Sequence, residues 1–136
     1  MKTSEYKVPD AFVSEVQKAA ESTLSGVEKG ALKLLDIGAG TGLIGEKLAA
    51  RGFTNLQAID LSPRMLAIAE KKNLYQRTVC DSLFSWRKHF AVGQFDVALS
   101  CSVFRPGQLK PNAFDEIICL VKPGKERAMP AKDHRS

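Results

Sequence analysis

The chain has 136 residues, 44% of them hydrophobic and 26% charged, a balance that fits one globular domain and excludes disordered, collagen-like and coiled-coil chains. A chain of this length buries roughly two thirds of its extended surface, enough for one core and too little for two domains. Twenty Lys and Arg against fifteen Asp and Glu leave a net charge of +5, an excess without long like-charged blocks, so acidic partners would be attracted only weakly.

Pro9 and Asp10 are helix-start signals, and Phe12, Val13, Val16, Ala20 and Leu24 follow at helical spacing, which predicts an amphipathic helix over 9–24. The polar, glycine-containing joint SGVEKGA leads to Leu32–Ile37, a short apolar run stopped by Gly38 and predicted as a buried first strand. Residues 43–51 form a helix closed by Gly52, with Gly45 counting against it. Leu56–Asp60 is the second strand, and Ser62 with Pro63 supplies an N-cap and a first-turn proline for a helix over 64–72. Tyr75–Cys80 is the third strand, 83–90 an irregular or helical segment, Phe95–Cys101 the fourth strand and Pro111–Val121 a further helix. Strands alternating with helices predict an α/β fold, a parallel sheet with helices on both faces.

Lys122-Pro123-Gly124 then ends the last helix where a fifth strand is due, yet KERAMPAKDHRS is polar, contains a proline and lacks strand periodicity. The expectation is a domain over 1–124, with its βαβ core at 32–124, and a disordered tail over 125–136. Strand four would then be an unpaired apolar edge, open to dimerisation. Cys80, Cys101 and Cys119 lie in apolar runs, are odd in number and lack C-x-x-C spacing, so buried reduced thiols are expected and a metal site is not. MKTSEYKVPD has no apolar signal core and no run of about 18 apolar residues occurs, so a soluble, cytoplasmic protein without membrane contact is expected.

The chemistry-bearing segment is Asp36-Ile-Gly38-Ala39-Gly40-Thr-Gly42, a glycine-rich loop between the first strand and a helix, where α/β sheets bind ligands. Glycines let it turn tightly and admit a ligand close to the backbone. Asp60 ends the second strand about twenty residues beyond Gly38, where a carboxylate meets ribose hydroxyls. A dinucleotide fingerprint would need glycine at 43, where Leu43 stands, and Asp36 would repel a pyrophosphate. A cofactor carrying a sulfonium and an ammonium would use Asp36.

These residues, with Ile59–Leu66 (IDLSPRML), Cys80-Asp81, Phe95–Ser100 (FDVALS) and the K-P-G at 122–124, stand in the order and spacing of the class I S-adenosylmethionine-dependent methyltransferases. The chain resembles that family over roughly residues 6–124. The resemblance implies a Rossmann-like sheet and S-adenosylmethionine as cofactor, with Gly38, Ala39, Gly40 and Gly42 under its methionine part and Asp36 near its amino group. It also implies Asp60 on the ribose, Leu61 against the adenine, Asp81 and the Ser82 backbone at the adenine amino group, and Ser100 with Cys101 facing the methyl. Family members continue past K-P-G into further strands and carry a longer N-terminal segment, so a truncated chain is expected.

Competing structural readings stay open: Asp60 or Asp81 as helix caps, Ser100 and Cys101 as strand-end packing. Trp86 is either core or an adenine-side lid, and Tyr6 either surface docking or a cover over the cofactor. His89 and His134 lack a partner motif and are assigned no role. Methyl transfer from a sulfonium is an in-line displacement that needs the acceptor positioned, and neither metal nor covalent residue. The acceptor is expected to be a small molecule or a protein. CSVFRPGQL after strand four lacks the N/D-P-P-Y/F motif of base-amine methylation, which speaks against nucleic acid. The alternative is a catalytically inactive truncated isoform that binds the cofactor or a protein partner.

Overall fold

The computed structural model describes residues 3–23, 26–100 and 112–128. Helix α1 spans Thr3–Thr23, a 3-10 turn covers Lys29–Ala31, and strand β1 is Leu34–Ile37. Then follow α2 (Leu43–Ala50), β2 (Leu56–Asp60), α3 (Pro63–Lys71), β3 (Arg77–Cys80), a 3-10 segment (Leu83–Lys88), β4 (Phe95–Ser100), α4 (Ala113–Leu120) and β5 (Val121–Ala128). The strands form one sheet in the order β3-β2-β1-β4-β5, every pair parallel.

Leu34 and Leu35 on β1 point to opposite faces and seed two cores, as the period of two along a strand requires. On one face Leu34, Leu56, Val97 and Leu99 meet Phe12, Val13, Val16 and Ala20 of α1 and Ile44 and Leu48 of α2. On the other, Leu35, Ile37, Ile59, Val79 and Phe95 pack on Trp86, Phe90 and Ala113, Ile117 and Leu120 of α4. Phe95 and Trp86 are fully buried; truncating such a ring to alanine costs about 3–5 kcal/mol. The helix-start reading at Ser62 holds, since its side chain accepts from Met65 N at 3.2 Å with Pro63 at the first helical position.

Three expectations are corrected. Helix α1 begins at Thr3 and runs through Pro9, although an interior proline forfeits one i→i−4 hydrogen bond and crowds the carbonyl four residues back. Residues 125–128 are not part of a tail: with 121–124 they form β5, whose Glu126, Arg127 and Ala128 pair with Val97, Ala98 and Leu99. A polar strand with lysines and a proline is what a sheet edge tolerates, and the register shift after Phe95–Val121 takes up Pro123 and Gly124 as an irregularity. Strand β4 is therefore paired on both sides, and the open edge expected to drive dimerisation through it is covered. Residues 129–136 of the expected tail lie outside the described residues, as do Cys101, His134 and the side chain of Tyr6. Cys80 is exposed and Cys119 half-buried, both free, against the expectation of buried thiols. Among the described residues no helix is long and apolar enough to cross a membrane.

Candidate functional site

Strand order reverses between β1 and β4, and the carboxyl ends of the strands at such a switch point are where parallel sheets bind ligands. The strand register brings the predicted residues to this one edge: Asp36 pairs with Ala58 one step before the loop, while Ile37 pairs with both Ile59 and Ser100 and Asp60 with Cys80. Gly42 caps α2 at φ 93, a left-handed conformation that glycine adopts without a Cβ penalty.

The loop is tied down from within. Gly38 N–H donates to Ile59 O at 2.8 Å, Gly40 N–H to Asp60 Oδ2 at 2.6 Å and Gly42 N–H to Ala39 O at 3.0 Å. The three glycine amides thus face protein acceptors, whereas a phosphate-binding loop points such donors at its ligand. Asp60 also accepts from Ser62 N–H through Oδ1 at 3.0 Å. Its carboxylate cross-links the loop to the start of α3, and a carboxylate's four lone-pair sites leave room for two further donors. The cap of α3 is Ser62 itself.

Asp36 is 2% exposed and accepts a hydrogen bond from the Tyr75 hydroxyl at 2.6 Å. Burial pushes its carboxyl up to about 7, the Tyr75 hydrogen bond opposes the shift and the Asp60 charge adds to it. Tyr75 is pushed upward in turn, by burial first and then by Asp36. Sequence reasoning placed Tyr75 in a strand and missed this contact. The signal available was Gly45: a Cβ there would strike the Tyr75 hydroxyl, which is why a glycine sits inside the helix.

Asp81 follows β3 and accepts from Ser82 N–H at 2.7 Å, with His89 Nε2 at 2.9 Å on its other oxygen. Those two contacts, the His89 bond foremost, hold its carboxyl below the usual carboxylate range. The 3-10 segment is capped by Ser82, whose side chain accepts from Phe84 N at 3.1 Å, and not by Asp81. His89, assigned no role from sequence, is thus brought to the site by the return of the chain after that segment. Its own carbonyl is held by Arg77 Nη1 at 2.8 Å.

Leu61 is 70% exposed beside Asp60, an apolar surface at this edge of the sheet. Ser100 is fully buried at the end of β4. Trp86 is core and not a lid: it is fully buried, and its Nε1 donates to Glu116 Oε1 at 2.7 Å. An open groove of about 620 Å³ beside Val27, Lys29 and Phe53 lies near the opposite end of β1 and includes none of these residues.

The edge therefore carries Asp36, Asp60 and Asp81 at the ends of three adjacent strands, an acidic row in a chain of net charge +5. With the glycine amides committed, the arrangement suits a cationic nucleoside-bearing ligand better than a phosphate. The methyltransferase domain family matches residues 34–124, and the chain belongs to that family. Methyltransferase-like protein 27 of Homo sapiens is 35% identical over 119 residues, 88% of this chain and 46% of the relative. The chain thus spans about half the length of that curated relative. The plantazolicin methyltransferase BpumL, solved in complex with SAH, superposes with a TM-score of 0.63 at 21% identity, over 82% of this chain and 41% of its own. The [4+2]-cyclase SpnF superposes with a TM-score of 0.60 at 24% identity, over 82% and 41%. The fold is that of these proteins; a cyclase among them means the activity must be argued from the site.

Proposed function

We propose that the chain binds S-adenosylmethionine at the acidic edge of the sheet and serves a methyltransferase acting on a small-molecule or protein acceptor. The observation that carries the reading is the placement of Asp36, Asp60 and Asp81 at neighbouring strand ends beside a loop whose Gly38, Gly40 and Gly42 amides are bonded internally. The residues fit this cofactor: Asp60 keeps acceptor capacity that two ribose hydroxyls would use, Leu61 offers an apolar face for adenine, and Asp81 beside Ser82 would accept from the adenine amino group. Asp36 lies under the loop, where an ammonium would be compensated. Family membership and the SAH complex of BpumL support the same choice.

When bound, the cofactor supplies an activated methyl on a sulfonium. Asp60, Leu61 and Asp81 would hold the nucleoside end and Asp36 the amino-acid end, so that an acceptor could be aligned with the methyl. Such positioning accounts for about 7–11 kcal/mol of a barrier in well-oriented reactions. Calorimetric titration of the folded chain with S-adenosylmethionine and S-adenosylhomocysteine tests the reading, with NAD as control. Micromolar binding of the first two, about −8 kcal/mol, is expected. Binding of NAD alone, or of none, overturns it.

A further inference from the structure

Tyr75 belongs to none of the motifs above and lies between α3 and β3, yet three parts of the site converge on it. Its hydroxyl is 2.6 Å from Asp36 Oδ2 and packs against Gly45 in the first turn of α2. A Cβ on Gly45 would strike that hydroxyl, and one on Gly42 would lie 3.4 Å from the ring. The start of α2 is thus shaped around this side chain at Gly45, and the end of the loop around Ala69 and Tyr75 together at Gly42. Among the described residues no lysine, arginine or histidine forms an ion pair with Asp36. A buried carboxyl facing a neutral donor is poorly compensated as an anion and stable as an acid.

We propose that Tyr75 is a positioning residue of the donor site, holding Asp36 against the start of α2 so that an entering ammonium displaces the carboxyl's proton and ligand binding releases it to solvent. The inference rests on the cofactor reading above. The Asp36 O–H bond breaks, the proton passes to buffer, and the carboxylate left behind is compensated by the ligand's charge and by the Tyr75 O–H; no bond of the ligand changes. With Asp36 at about 7, about half the ligand-free molecules carry that proton at neutral pH. The charged groups around the pair are few. Asp60 from β2 raises Asp36. Glu46 from α2 raises Tyr75 and is itself paired with Lys72 at the end of α3, at 3.1 Å. On β4 the residue opposite Asp36 is the apolar Leu99.

Tyr75→Phe keeps the ring beneath Gly42 and removes the hydroxyl, so it separates positioning from packing. The first readout needs no ligand: the carbon-13 carboxyl resonance of Asp36, titrated by NMR, is expected to show a midpoint near 7 in the native chain and a midpoint higher by roughly half a unit or more in Tyr75→Phe. An unchanged midpoint overturns the proposal and leaves Tyr75 as packing. The second is calorimetric titration with S-adenosylhomocysteine at pH 7 in two buffers of different ionisation heat. About half a proton is released by the native chain, more by Tyr75→Phe and none by Asp36→Asn. Equal release from the native chain and Asp36→Asn overturns the proposal. If the native chain binds no S-adenosylhomocysteine while Asp36 titrates as stated, the cofactor reading falls and the proton release with it, but the contact between Tyr75 and Asp36 stands.

Discussion

Asparagine at position 36 retains an acceptor for the Tyr75 hydroxyl but cannot ionise, which isolates the energetic consequence of burying Asp36. In the native chain burial raises this carboxyl from 3.8 to about 7, so the folded protein keeps a proton that the unfolded chain loses. Stability from this group is therefore complete below about pH 3.8, declines as pH rises towards 7 and is flat above that. At 1.36 kcal/mol per unit, the native chain loses about 2–3 kcal/mol between pH 5 and pH 8 from Asp36 alone. Asp36→Asn loses none of it. The asparagine amide lacks an identified acceptor, a cost of about 1–3 kcal/mol, but this applies equally at both pH values and cancels when the two profiles are subtracted. Asp81, whose carboxyl is lowered by His89 and Ser82, is common to both proteins and cancels likewise. Urea denaturation of both chains at pH 5, 6, 7 and 8 gives the difference directly. Parallel profiles would refute the reasoning, because they mean that folded Asp36 is already ionised at pH 5.

Asp60→Ala removes the acceptor of Gly40 N–H and Ser62 N–H and should weaken S-adenosylmethionine binding by about 1–3 kcal/mol; unchanged affinity by calorimetry contradicts the ribose assignment. In Gly45→Ala the new methyl meets the Tyr75 hydroxyl, so a helix-propensity gain of about 1 kcal/mol is outweighed by a steric cost of about 1–3 kcal/mol. A lower melting temperature is expected, and a higher one rules out a rigid Tyr75. Trp86→Phe loses the bond to Glu116 and leaves a void in a fully buried site, for about 1–3 kcal/mol by denaturant unfolding. A cost near zero would mean that Trp86 is not core.

What could be read from residues alone was local or periodic. Leu56–Asp60 and its following Ser62-Pro63 start coincide with β2 and the cap of α3, since an apolar run closed by an N-cap and a proline depends on few distant contacts. The glycine loop and the placement of Asp36, Asp60 and Asp81 at strand ends were legible for the same reason, with family resemblance supplying the ligand. Strand β5 was not legible, because Val121–Ala128 is polar and acquires strand geometry only from pairing with β4. Likewise Trp86 carried no mark of whether it covered a ligand or filled the core until Glu116 of α4 was brought to its indole.

The sequence by itself determined the alternation of strands and helices, the acids at the strand ends and the loop between Asp36 and Gly42, because these follow from side-chain period and backbone freedom within a few residues. Only the tertiary structure decided which groups surround those acids. Tyr75 reaches Asp36 from 39 positions away along the chain, and His89 reaches Asp81 across a 3-10 segment. A carboxyl's protonation depends on burial and on neighbours within a few ångströms, and those distances come into being only when the sheet and its helices close around them.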